Sequence, residues 1–113
     1  MLNVKDKGRL LQMIKHCTKI NTKMRNVSYK EFYNNEDLRE IVCFNIFQIG
    51  ELAKGLLTSF TKQFNEVPWK QIKGMRDIIG HGYGTIDIEI VYNTTKNDII
   101  ELSNYCKRII DSE

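Results

Sequence analysis

Leu10, Met13, Cys17, Ile20 and Met24 recur at intervals of three, four, three and four residues, with lysines between them. That recurrence places the apolar side chains on one face of an α-helix and predicts a first amphipathic helix. Residues 26–35 form a turn or short helical piece, with Ser28 placed to cap YKEFYN and Asn35 to cap the segment that follows. Leu38, Val42, Asn45, Ile49, Leu52 and Leu56 repeat by four, three, four, three and four, and Ile41, Ile46, Ala53 and Phe60 widen the stripe. This predicts a second long helix, apolar over most of its circumference. After the polar stretch SFTKQFNE, Pro68 suits a first helical turn, where its missing N–H has no partner to lose. Trp69, Ile72, Met75 and Ile79 supply the apolar face of that helix, Gly74 permits a close helix contact, and Gly80, Gly82 and Gly84 end it. In the last segment Ile86, Ile88, Ile90 and Tyr92 alternate like a strand. The helical spacing of Ile88, Val91, Thr95, Ile99, Leu102, Cys106 and Ile109 runs longer, and predicts one helix capped by Asp87.

Four helices, or five with the short piece, and no strand define an all-α, up-and-down antiparallel bundle occupying residues 1–113 as a single domain. The broad apolar arc of the second long helix leaves surface for a second copy of the chain, so a homodimer is expected. A chain of 113 residues, 42% of them hydrophobic, can bury a core without disulfides or a structural metal. Cys17, Cys43 and Cys106 are odd in number, form no CxxC pair and lie in apolar stretches, the pattern of buried, reduced thiols. The charged N-terminus lacks the features of a signal peptide, and no run approaches the length of a spanning helix, so a cytoplasmic, soluble protein with no membrane association is expected.

The formal charge of +3 is unevenly distributed: residues 1–30 hold eight basic side chains and one acid, whereas residues 86–113 hold three basic and six acidic ones. The basic stretch reads either as a phosphate-facing stripe or as an ordinary solvated helix face. Of the two histidines, His16 reads as a surface or boundary residue beside Cys17. His81 stands in the run Met75-Arg76-Asp77-Ile78-Ile79-Gly80-His81-Gly82-Tyr83-Gly84. An imidazole titrates near neutral pH and a guanidinium holds phosphate oxygens in its planar fork. The pair therefore suits attack of a ribose 2′-hydroxyl on its neighbouring phosphate, His81 moving the proton and Arg76 stabilising the charge on the phosphorane oxygens. By spacing alone the same residues also fit a helix C-terminus stabilised by His81, with Arg76 paired to an acid.

RDIIGHGY fits the pattern R-x4-H-x-Y. Together with VPWKQIKGM, the upstream NIFQIGELA and the following TIDIEIV, it resembles the HepT-like branch of the HEPN domains, small all-helical bacterial and archaeal proteins. The resemblance runs in order from Asn45 to about Tyr92, while the outer helices agree in length and periodicity. It implies a metal-independent endoribonuclease without cofactors, the toxin of a toxin–antitoxin pair, acting as a dimer whose two Arg/His sets share one cleft. Arg76 and His81 match the catalytic pair, and Asp77 the polar position after the arginine. Tyr83 matches the tyrosine that a nucleotidyltransferase antitoxin modifies with AMP. The glycines at 80, 82 and 84 depart from the common pattern and imply a loop whose active geometry depends on dimer contacts or substrate.

Glu51, in the most apolar helix, either pairs with Arg76 or another basic group near the cleft, helping to orient it, or sits at the helix's polar edge. Gln48 shares its face, Asn45 is displaced, and a polar strip at a dimer seam is one arrangement of the three. Tyr29, Tyr33, Phe44 and Phe47 fit base stacking or, more commonly, core and interface packing. Two further readings compete with the ribonuclease: a non-catalytic, nucleotide-binding partner subunit of a minimal nucleotidyltransferase, and a purely structural dimerisation bundle.

Overall fold

Asn3 starts the first helix, its side-chain oxygen accepting the Asp6 N–H at 2.8 Å and so satisfying one of the donors that a helix start leaves open. The computed structural model describes residues 2–80 and 86–112, and of residues 77, 78 and 80 the backbone alone. Helix α1 spans Val4–Met24 and buries Leu10, Met13, Cys17, Ile20 and Met24, the face its spacing predicts. Asn26, at φ 60°, turns the chain out of α1 in the left-handed conformation that asparagine tolerates. The short helix α2 (Tyr29–Tyr33) then begins with a capping box. The Glu31 N–H donates to Ser28 Oγ and the Ser28 N–H to a Glu31 carboxylate oxygen, each at 3.1 Å. Hydrogen bonding from Ser28 to the carboxylate, first from its backbone N–H and then from its side chain, holds the Glu31 carboxyl below its ordinary pKa.

Helix α3 (Glu36–Lys54) is capped by Asn35 as predicted, but it stops at Gly55 instead of running on to Phe60. Residues Thr58–Gln63, read from the sequence as a polar stretch, form a separate short helix, α4, that buries Phe60. At the break the Arg9 side chain of α1 lies over Gly55, where an added Cβ would be 2.7 Å from its Nε. Asp6, buried beside Arg9, accepts the Leu57 N–H at 3.5 Å just past the break.

Helix α5 (Trp69–Gly80) follows Pro68, whose carbonyl accepts the Ile72 N–H at 3.2 Å, and Trp69 Nε1 donates to the Phe64 carbonyl at 3.0 Å. The described part of this helix runs to Gly80, and the residues that follow, His81 to Thr85 with Gly82 and Gly84 among them, lie outside the described residues. Asp87 caps α6 (Ile88–Lys96) by accepting the N–H groups of Glu89 and Ile90, and the helical reading of this segment prevails over the strand. The single long terminal helix is instead two, because Asn97 leaves the helical basin (φ −124°, ψ −69°) before α7 (Asp98–Asp111). Thr94, Thr95 and Asn97 each donate a side-chain hydrogen bond to a carbonyl of the preceding turn, and such back-bonding bends helices. Seven helices, with no strand among the described residues, thus replace the predicted four or five.

Helix α1 packs between α3 and α7, and α3 packs between α1 and α5. Contacts of Asp6 with Leu57, Arg9 with Gly55 and His16 with Asn45 ascend α1 while descending the chain from α4 into α3, so α1 and α3 are antiparallel. The core joins Leu10, Met13 and Ile20 to Val42, Ile46 and Ile49, and these to Ile99, Leu102 and Ile109. Among the described residues no helix is long and apolar enough to cross a membrane.

All three cysteines are free and buried. Burial pushes the thiols of Cys17 and Cys106 up to about 12 and that of Cys43 to about 11. At pH 8 a thiol reagent is therefore expected to label the native chain far more slowly than the urea-unfolded one. Because unfolded thiols lose protons at lower pH than folded ones, stability is expected to fall as pH rises above about 9. A urea midpoint that stays constant from pH 8 to 10.5, roughly the range over which free thiols ionise, contradicts this assignment.

Candidate active site

Phe47, Gly50 and Glu51 stand three and four residues apart on α3 and share one face of the helix. That face meets α5 at Arg76. A Cβ added to Gly50 would lie 2.2 Å from Arg76 Cβ and 3.2 Å from its Cα, so only glycine lets the two backbones come this close. The flanking residues grip the arginine. Arg76 Nε donates to a Glu51 carboxylate oxygen, and the guanidinium carbon lies 5.2 Å from the centroid of the Phe47 ring.

The side chains of the ion pair remain 28% (Arg76) and 41% (Glu51) exposed, so its direct contribution to stability is small, about 0–1 kcal/mol. Its effect is geometric. A guanidinium carries five N–H donors in a rigid plane; a carboxylate at Nε and an aromatic ring beside the group restrict how that plane can turn. Cation–π contact adds about 0.5–1 kcal/mol at such partly exposed sites. The arrangement presents an oriented cation at the last turns of α5, the kind of group that stabilises negative charge building on phosphate oxygens.

Of the residues singled out in the sequence, Arg76 and Glu51 are brought together. Both readings of Glu51 hold in part: it is at the helix's exposed edge, and it is paired. His81 and Tyr83 lie outside the described residues, as does the side chain of Asp77, whose backbone belongs to α5. Phe47, considered for base stacking, lies against Arg76 instead. Tyr29 packs edge-on to Tyr92 and tilted against Tyr33, whereas Phe44 is 59% exposed. Asn45 is no part of a surface strip: it is buried, its amide donating to the Ile41 carbonyl at 2.7 Å and its oxygen 2.8 Å from His16 Nδ1. That network assigns the proton to Nδ1 of half-buried His16, which locks α1 against α3. Among the described residues Gly74 makes no close helix contact, since an added Cβ there meets none of them within 4 Å. The close approach occurs at Gly50 on α3 instead, and its signal in the sequence is the glycine beside Glu51. The cleft of about 220 Å3 between α5 and α7 is rimmed by Asp98 and Glu101, which makes it a poor phosphate site.

The ribonuclease HepT-like family matches the chain over residues 13–109, from the middle of α1 to the end of α7. The chain belongs to that family. This HepT-like chain is 29% identical over 104 residues to a protein of Caldanaerobacter subterraneus subsp. tengcongensis named "Putative RNase", a match covering 92% of this chain and 93% of that one. A "Putative RNase" of Methanocaldococcus jannaschii is 33% identical over 75 residues, covering 66% and 69% of the two chains. A "Probable ribonuclease HepT" of Thermococcus cleftensis is 26% identical over 85 residues, covering 75% and 77%. No solved structure matches the chain. The family match takes in the outer helices, which the motif-level resemblance reached only by length and periodicity.

The two helix glycines give opposite expectations for the HepT-like chain. Gly50→Ala forces a methyl group into the Arg76 backbone and is expected to cost about 1–3 kcal/mol. Gly74→Ala enters open space in a helix and is expected to gain about 0.5–1 kcal/mol. Urea denaturation of both variants checks this, and equal effects would contradict the assigned α3–α5 contact.

Proposed function

We propose that the HepT-like chain is an endoribonuclease that cleaves RNA without a metal ion and serves as the toxin of a toxin–antitoxin pair. The observation that carries this reading is Arg76, oriented by Glu51 and Phe47, at the head of the R-x4-H-x-Y run of a ribonuclease HepT-like chain. In the proposed reaction His81 accepts the proton of a ribose 2′-hydroxyl, and the 2′-oxygen attacks the adjacent phosphorus. The bond to the 5′-oxygen breaks, that oxygen leaves with a proton returned by imidazole, and a 2′,3′-cyclic phosphate remains. Arg76 stabilises the charge that grows on the non-bridging oxygens. The working unit is a homodimer in which two Arg76/His81 sets share one cleft. Glu51 orients Arg76, and Asp77 is a supporting residue. A nucleotidyltransferase antitoxin silences the enzyme by moving AMP to the Tyr83 phenol oxygen, adding bulk and negative charge where the substrate phosphate must bind.

Purified protein is expected to cut single-stranded RNA in excess chelator and to leave cyclic-phosphate ends. His81→Ala and Arg76→Ala are each expected to lower the rate by about 10²–10⁴-fold. Undiminished cutting by His81→Ala overturns the mechanism, and nucleotide binding without cutting favours the non-catalytic partner subunit. Incubation with ATP and the cognate transferase is expected to add the mass of one AMP group, and Tyr83→Phe to prevent it. Equal modification of that variant excludes Tyr83.

A further inference from the structure

The exposed side of α1 carries Lys5, Lys7, Lys15, Lys19 and Lys23, and all five are exposed. The helix has a single acid, Asp6, and the fold removes it from this surface: it is buried beside Arg9 at the Leu57 N–H. A helix face that is merely solvated usually intersperses both signs and gains from acid–base pairs one turn apart. Here no acid of α1 is available to the lysines, and among the described residues none of the five makes an ion pair. Lys15, Lys19 and Lys23 follow one another at intervals of four, an axial step of about 6 Å, which is close to the separation of successive phosphates in an extended single strand. Asp37 and Glu40 of α3 share an open groove with Lys19, so the surface of one sign is confined to α1 itself.

The row has a defined position relative to Arg76. Along the antiparallel α1–α3 pair, His16 is level with Asn45 and Arg9 with Gly55, so Gly50, and Arg76 against it, fall between them. Lys15 therefore begins the row within about one helical turn, 5.4 Å along the axis, of the level of Arg76. The His16–Asn45 bond fixes the rotation of α1 against α3 and keeps the lysines outward. Arg76 itself, paired with Glu51, supplies little attraction at a distance.

We propose that the outward face of α1 is a binding site for the phosphates of single-stranded RNA, and that it draws substrate along the surface toward Arg76. The substrate role rests on the ribonuclease reading. The test uses full-length His81→Ala protein, which leaves RNA intact under that reading, and a short oligouridylate whose binding is measured across a range of salt concentrations. The added changes Lys15→Gln, Lys19→Gln and Lys23→Gln are expected to weaken binding about tenfold or more at low salt. They are also expected to flatten the slope of log affinity against log salt by about 2, the value for three lost contacts to a single strand. Glutamine matches lysine in helix propensity, so helix content by circular dichroism should not change. The control set Lys62→Gln, Lys70→Gln and Lys107→Gln, on other exposed positions, is expected to leave the slope in place.

An unchanged slope in the α1 variant, an equal drop in the control, or no RNA binding at low salt overturns the proposal. So does a row that matters for phosphatidylserine vesicles and not for RNA. Cleavage by the parent chain is scored separately. A chain that cuts RNA with an unchanged slope loses the α1 site alone, and one that binds through α1 without cutting loses the ribonuclease reading alone.

Discussion

The close approach of α3 and α5 at Gly50 is the constraint on which the candidate site depends. A side chain at that position would have to occupy the place of Arg76 Cβ. Without it, α5 comes near enough for Phe47, one turn before the contact, and Glu51, next to it, to reach the guanidinium. The arrangement separates two tasks that are often merged. Burial along Ile46, Ile49 and Ile72 holds the helices together, and the exposed pair adds little to stability while determining which way the arginine faces.

The other helix contacts serve the same geometry. His16 and Asn45 lock α1 to α3 through a polar contact inside an otherwise apolar seam, and a buried polar pair is satisfied in only one register. At the far end of that seam Asp6 and Arg9 meet the break after Gly55. At the other end Tyr92 and Lys96 of α6 donate to the carbonyls of Val27 and Met24, at 2.9 and 2.7 Å, and fasten the turn after α1. Helix α1 is thereby fixed along its length, and α3, which carries both residues that grip the arginine, is fixed against it.

Periodicity showed which residues would be buried and missed where the helices would break. Val91, Thr95, Ile99, Leu102, Cys106 and Ile109 are all buried as their spacing predicts, yet the chain leaves the helix at Asn97 between them. A break that returns the chain to the same face leaves the apolar pattern intact, so the pattern cannot report it. The polar residues Thr94, Thr95 and Asn97 were the signal, since those side chains compete for the carbonyls of the turn. The site was legible in a similar proportion. The pairing of Glu51 with Arg76 was one of the two readings that followed from the cost of an isolated carboxylate. The roles of Gly50 and Phe47 did not follow, because a glycine inside a helix shows its use only when the opposing backbone is known.

The grip on Arg76 also bears on the charge of the chain. A cation held against a carboxylate is close to neutral when viewed from beyond a screening length, about 8 Å at physiological ionic strength. Precision at the site is thus obtained at the expense of reach. The RNA substrate proposed above would then have to be attracted by cations that have no such partner, and the total of +3 conceals them because the acids lie elsewhere in the chain. With Asp6 turned inward, the exposed lysines of α1 are the basic surface that no acid of their own helix offsets. Long-range attraction and local orientation compete when one arginine must supply both; the proposed division between α1 and α5 would allow each to be strong.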